Sequence, residues 1–199
     1  MTKFWWIRHA PVIGNEDCCY GNNEVECDLS DIKLFIDLEK KLPKNSLVFT
    51  SPLSRAINTY LKVNSLRCLS NNRHTIDSRV TEQNLGSWAG MKYNELIKKT
   101  KKLGVFSDNW LMDFQFCPPG GESFIQLQKR VEAFLNEILK KYKKKNIIIF
   151  SHGGPIRAAI SIALNIKDKQ VLPITIDNTK LTRIDYDTKK KSKIKFINI

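Results

Sequence analysis

Phe4-Trp5-Trp6-Ile7-Arg8-His9-Ala10-Pro11 sets four consecutive apolar residues ahead of an Arg-His pair and a proline. The apolar run is too short for a helix and rich in aromatic residues, which predicts a buried strand. Arg8 and His9 then stand at the end of that strand, and Ala10-Pro11 breaks the run. A charge at the mouth of a buried strand is costly unless it has a partner or a task. The reading of the chain therefore turns on what else reaches the same mouth.

Asn146-Ile147-Ile148-Ile149-Phe150 is the clearest buried strand in the sequence, and it ends in Ser151-His152-Gly153-Gly154-Pro155. A helix is predicted from about Pro155, with Ile156, Ala159, Ile160 and Ala163 on its apolar side. A second histidine thus leaves a buried strand just before a glycine turn. Ser46 to Thr50 is a further short apolar strand, followed by Ser51 as a cap and Pro52 at the first helical position. The helix expected over Leu53 to about Leu66 carries Arg55 in its first turn. A cation is locally unfavourable at that positive helix end, whereas the same end readily accepts an anion. An anion held beside Arg55 is preferred here to an arginine with its head in water.

Outward from these stretches, Val12 to Cys27 has turn chemistry and no periodicity, and reads as a loop. Asp28-Leu29-Ser30-Asp31 offers caps for a helix with Ile32, Phe35 and Leu38 on its apolar side, ended by Pro43. A short strand is expected around His74-Thr75-Ile76, a packed aromatic loop over Arg79 to Gly90, and a helix from Tyr93 to Lys102. After a region with Trp110, Phe114 and Phe116, Pro118-Pro119-Gly120-Gly121 turns into the longest helix. Ser123 and Gln126 fit a capping box, and Phe124, Leu127, Val131, Leu135, Ile138 and Tyr142 recur at helical spacing. Glu122 reads as an acid complementing that helix's dipole rather than as a catalytic group. Ile174 to Ile176, Leu181 to Ile184 and Ile194 to Phe196 read as strands closing one edge, with Thr188 to Lys193 as a turn. Repeats and linkers are absent, and the expectation is one α/β domain over residues 1–199.

The 199 residues, 42% of them hydrophobic, suffice for one sizeable core. No apolar run approaches the roughly 20 residues of a membrane helix. Met1-Thr2-Lys3 leads straight into the first strand, so no secretory signal is expected, and the cytoplasm is the expected compartment. Five cysteines, an odd number without a C-x-x-C pair, argue for reduced thiols over a disulfide framework or zinc site. Cys18 and Cys19 read as packing residues rather than nucleophiles. The net charge of +13 lies mostly in lysine runs such as Lys98-Lys99, Lys143-Lys144-Lys145 and Lys189-Lys190-Lys191. Solvated helix ends explain these better than a nucleic-acid surface, which usually mixes arginine and aromatics with lysine. A positive surface still draws in anionic small substrates.

Arg8-His9, Arg55 and His152 follow three strand ends. In open α/β sheets, ligands bind beyond the carboxyl ends of the strands. Two arginines and two histidines make a poor core but a sensible grip on phosphate. The arginines argue against the competing reading, a metal held by the histidines, because added cations repel a metal and no acidic ligands accompany them.

With Ser51-Pro52-Leu53-Ser54-Arg55-Ala56, Glu82 within Glu-Gln-Asn-Leu-Gly-Ser-Trp-Ala-Gly, Pro118-Pro119-Gly120-Gly121-Glu122-Ser123 and Ser151-His152-Gly153-Gly154-Pro155-Ile156-Arg157, the chain resembles the histidine phosphatase superfamily. That family includes phosphoglycerate mutases and α-ribazole phosphatases. The match runs in order over about the first 160 residues. The resemblance implies a three-layer α/β/α fold with a mixed, mostly parallel sheet. It implies His9 as the nucleophile forming a phosphohistidine, and Glu82 as general acid and then base. It also implies Arg8, Asn15, Arg55, His152 and Gly153 as the phosphate grip, with no metal or cofactor. Ala10-Pro11-Val12 departs from the usual Gly, acidic or amide residue, then Thr or Ser, so Val12 lacks a phosphate-binding hydroxyl. The short stretch between Glu82 and the Pro-Pro turn favours a phosphatase like the α-ribazole branch over a mutase. The expected partner is a small phosphorylated metabolite, not nucleic acid or membrane, and a homodimer stays open. A non-catalytic phospho-ligand or nucleic-acid binder is the remoter alternative, opposed by Glu82, since a pure binder gains nothing from a proton donor.

Overall fold

The computed structural model describes residues 1–15, 17–66, 73–108, 112–166, 168–187 and 191–199. Thr2–Arg8 (β1) lies inside a six-stranded sheet with Leu47–Thr50 (β3), Thr75–Ile76 (β4), Asn146–Ser151 (β6), Leu181–Tyr186 (β7) and Ser192–Phe196 (β8). The order is β4-β3-β6-β1-β7-β8. β1 runs parallel to β6, as β3 does to β6 and β4, whereas β7 is antiparallel to both β1 and β8.

Strand side chains alternate between faces, and both faces of the central strands are covered. Phe4, Trp6, Ile147 and Ile149 pack in one core with the helices Phe124–Lys141 (α4) and Gly153–Leu164 (α5). Trp5, Ile7, Ile148 and Phe150 pack in a second core with Ile32–Lys41 (α1) and Ser54–Leu66 (α2). Each fully buried Phe, Ile or Leu is worth about 1.5–3 kcal/mol relative to exposure. A third small cluster, with Leu85, Trp88, Leu96 and Met112, seats Tyr93–Lys102 (α3) beside the sheet's carboxyl end. Among the described residues no helix is long and apolar enough to cross a membrane.

Several expectations need correction. The loop over Val12 to Cys27 is partly paired: Cys18–Cys19 (β2) meets Met91–Lys92 (β5), and Val12 bridges Cys27. Ile32 is exposed, leaving Phe35 and Leu38 to bury α1. α2 begins at Ser54, with the Leu53 carbonyl accepting the Ile57 N–H and Ser51 Oγ accepting the Leu53 N–H ahead of it, while α5 begins at Gly153, ahead of Pro155. Ile174 to Ile176 is not a strand. Its carbonyls serve arginines instead of a ladder: Ile176 O accepts Arg8 Nη1 at 2.6 Å and Ile174 O accepts Arg157 Nε at 2.8 Å. Cys68, Trp110, Lys189 and Lys190, with residues 188–190 of the expected turn, lie outside the described residues.

Candidate active site

The parallel ladder sets Arg8 opposite Ser151, so His9 and His152 leave neighbouring strands at the same level. Their ring centroids are 5.1 Å apart, and both side chains are buried. His9 Nδ1 lies 2.6 Å from the Ala10 carbonyl oxygen. That oxygen can only accept, so Nδ1 carries the proton and Nε2 keeps its lone pair. Asn178 Nδ2 donates to the carbonyls of both His9 and Ala10, fixing this turn. On the other ring, Nε2 of His152 is 2.7 Å from Ser51 Oγ, which also accepts the Leu53 N–H. With Ser51 donating to Nε2, the remaining proton of His152 sits on Nδ1.

Arg8 and Arg55 flank this pair. Arg55, fully buried, donates Nη1 to Asn23 O at 2.7 Å and Nη2 to Gly21 O at 2.8 Å. Arg8 Nε, Arg55 Nε and His152 Nδ1 are buried and have no hydrogen-bond partner. Unsatisfied buried donors cost about 1–3 kcal/mol each, more when charged, so these three partnerless nitrogens on neighbouring residues are costly unless a ligand meets them.

Burial, then Arg55, then Arg8 hold the His9 imidazole well below its ordinary 6.5, against an opposing pull from the Ala10 carbonyl. Burial, then His9, Arg55, Arg8 and Arg130 do the same to His152. Both rings are therefore neutral at pH 7. Below about pH 6.5 the unfolded chain takes up protons that the folded protein refuses, so stability falls as pH drops. The slope is about 1.4 kcal/mol per pH unit for each histidine until it titrates in the folded state. Urea unfolding at pH 7.0 and 5.5 checks this: His152→Asn should remove about half of the fall that the two rings produce. A variant as acid-sensitive as the parent would contradict it.

Glu82 lies in the loop after a 3-10 turn at Ser78–Val80 and meets the start of α5. Its Oε1 accepts the Gly154 N–H at 3.1 Å and the Gln83 N–H at 2.9 Å, which places the carboxyl group at the N-terminus of α5. A side chain at position 154 would displace the carboxyl group, because a Cβ there would lie 2.3 Å from Glu82 Oε1. The loop is braced from α4 by Arg130, which donates to Arg79 O and Glu82 O and grips both oxygens of Glu122. Glu122 also accepts the Asn84 N–H. It precedes the capping residue Ser123 and ties loop to helix, so its role differs from the dipole complement expected of it. The glycines of the Pro-Pro-Gly-Gly turn allow the loop's backbone to come close; a Cβ on Gly121 would meet Asn84 O at 2.5 Å. Arg130→Met should lower unfolding stability by about 2 kcal/mol, the scale of a charge-assisted network, with a loss of kcat. Unchanged thermal unfolding would show that the brace is dispensable.

A cavity of about 210 Å³ is lined by Arg8, Gly153, Gly154, Glu82, Arg157 and Tyr93 among others; His9, Arg55 and His152 are sequence or contact neighbours of this lining and not part of it. Tyr20 joins this lining to the buried groups: the His9 and Tyr20 ring centroids are 6.3 Å apart, and the Arg55 guanidinium lies 5.0 Å from the Tyr20 ring centre. Glu24 pins the same segment to α2 by accepting the Ser54 N–H. Among the expected residues, Arg8, His9, Arg55, Glu82, His152 and Gly153 come together. Asn15 does not line the cavity, and its amide donates to Ile13 O. Val12 supplies no hydroxyl. Cys19 lines the cavity, but burial pushes its thiol up to about 12, so it is not a thiolate. Tyr20, Arg130 and Asn178 carry no motif and were missed.

The profile of the histidine phosphatase superfamily (branch 1) matches residues 5–199, and the chain belongs to that family. It is 24% identical over 197 residues to a putative phosphoserine phosphatase 2 of Hydrogenobacter thermophilus, covering 96% of this chain and 93% of that one. A metal-independent phosphoserine phosphatase of Arabidopsis thaliana is 29% identical over 163 residues, covering 79% and 67%. The crystal structure of an α-ribazole phosphatase from Shigella flexneri superposes with TM-score 0.80 at 26% identity, covering 99% and 96%. The chain spans about 40% of the length of the mycobacterial relatives that it matches at 27% identity.

Proposed function

We propose that the protein is a metal-independent phosphomonoesterase that hydrolyses a small phosphorylated metabolite through a phosphohistidine on His9. The observation that carries this is the set of partnerless buried nitrogens, Arg8 Nε, Arg55 Nε and His152 Nδ1, around a histidine whose Nε2 keeps its lone pair. Nε2 attacks phosphorus, the bond to the leaving oxygen breaks, and the Glu82 carboxyl group gives its proton to that oxygen. Fixed cations meet the charge on the transferring group. In the second step Glu82 takes a proton from water, the oxygen attacks phosphorus, and the N–P bond breaks. Phosphate leaves and His9 is neutral again. The family's phosphatases, named for phosphoserine and α-ribazole substrates, support hydrolysis. So does the short connection between Glu82 and the Pro-Pro turn, where mutases carry a longer one.

The test is turnover of 4-nitrophenyl phosphate in the presence of a chelator, with rapid quenching into base to trap labelled protein. Turnover with label on His9 is expected. Absence of turnover, or label that persists in His9→Ala, would overturn the reading.

A further inference from the structure

A buried threonine inside a helix ordinarily satisfies its hydroxyl by donating to the carbonyl one turn back. Thr100 in α3 does so, with Leu96 O at 2.9 Å. Thr59 in α2, fully buried, makes the same bond to Arg55 O at 2.6 Å. It does one thing more: its oxygen accepts the Ala10 N–H at 2.8 Å, across 49 positions of sequence. A hydroxyl has one proton and two lone pairs. A carbonyl only accepts and an N–H only donates, so the direction of both bonds is fixed.

Where Ala10 stands gives that second bond its meaning. The last bond along β1 to β6 is His9 N–H to Ser151 O at 3.0 Å. Beyond it Ala10 carries the next backbone donor, because Pro11 has none. The Ala10 carbonyl lies 2.6 Å from His9 Nδ1 and so decides which ring nitrogen keeps a lone pair. One path therefore runs from the His9 ring through the Ala10 backbone and the Thr59 hydroxyl to the Arg55 carbonyl. The Arg55 guanidinium is held separately, by Gly21 O and Asn23 O. Asn178 also donates to Ala10 O, at 3.1 Å, but from outside α2, so it orients the turn without tying it to Arg55. Ile7, Ala10, Ala56 and Tyr60 share one core, yet apolar packing has no direction of its own. The hydroxyl supplies it.

We propose that Thr59 is a positioning residue: its hydroxyl ties the turn that orients the His9 ring to the helix turn that carries Arg55, holding nucleophile and cation at a fixed offset. The consequence for rate rests on the phosphatase reading above, whereas the consequence for the His9 ring does not.

The test compares Thr59→Val, which keeps the shape and removes the hydroxyl, with Thr59→Ser, which keeps the hydroxyl. Thr100→Val serves as the control, since it loses the same kind of helical bond away from His9. With 4-nitrophenyl phosphate, Thr59→Val should lose about 10- to 100-fold in kcat, the scale of a small misplacement of reacting groups, with less change in KM. Thr59→Ser should stay close to the parent, and Thr100→Val should melt lower while keeping its kcat. Parent-like kcat in Thr59→Val, an equal loss in Thr59→Ser, or an equal loss in Thr100→Val overturns the proposal. The second readout is the ring ¹⁵N spectrum of His9 at neutral pH, assigned by its absence from His9→Ala protein. The parent should show the proton on Nδ1, Thr59→Val a mixture of tautomers, and Thr59→Ser the parent pattern again. A parent-like spectrum in Thr59→Val overturns the tether, whether or not the protein turns over any phosphate ester. Should Thr59→Val fail to fold, Thr59→Ala removes the same hydroxyl without pressing a methyl group on the Ala10 N–H, and carries the same expectations.

Discussion

Protein carrying His9→Ala should lose about 10⁴- to 10⁶-fold in kcat toward any phosphomonoester, the scale seen when a covalent nucleophile is removed. The argument is geometric. Nδ1 of His9 is engaged by the Ala10 carbonyl, so Nε2 is the atom with an available lone pair. Among the described residues, the two nearby candidates are unavailable: Nε2 of His152 is held by Ser51, and the Cys19 thiol is protonated. The variant should remain folded, and below about pH 6.5 its stability should fall less steeply than the parent's, because one depressed imidazole is gone. Steady-state kinetics beside a urea melt at two pH values reads both effects. Retained turnover in a folded variant would remove His9 from the reaction.

The second large effect comes from a glycine. In Gly154→Ala the new methyl group would stand 2.3 Å from Glu82 Oε1 and 3.0 Å from Leu127 Cδ2, so the carboxyl group has to leave the helix N-terminus. Alkyl phosphates need a proton on the departing oxygen, and their hydrolysis should slow about 10²- to 10⁴-fold, the usual worth of a positioned acid. 4-Nitrophenolate leaves without that proton. With the aryl ester, the variant should release a stoichiometric burst of phenolate and then stall, because the water that resolves phosphohistidine has lost its base. Glu82→Gln should behave alike. A uniform loss on both esters without a burst would show that Glu82 serves the fold rather than proton transfer.

The strands that end at the two histidines were legible because each is a short apolar run with buried partners on both faces, and the histidines follow them directly in sequence. The capping box at Ser123 and the helix from Tyr93 to Lys102 were equally plain, being local patterns. What failed was set by tertiary structure. Ile174 to Ile176 alternates like a strand, yet its carbonyls meet Arg8 and Arg157, which no periodicity reports. β2 and β5 are two residues each and pair across more than seventy positions, so neither has a pattern of its own. Glu122 was misjudged because its partner Arg130 lies two turns along the helix, facing a loop whose path sequence alone does not give. Tyr20 sits in polar turn chemistry and gains its meaning from Arg55, thirty-five positions away.

The ladder between β1 and β6 places the two histidines, whereas Tyr20, Tyr93, Met112 and Leu172 reach the cavity from outside the strands. Shifting β6 by one residue would turn His152 to the opposite face and separate the two rings. Exchanging cavity residues leaves the ladder untouched. On the proposed function, residues that choose the substrate are thus separable from the strands that hold the reacting groups, so substitutions in the cavity should alter preference while leaving the rate of the chemical step on an aryl phosphate largely intact.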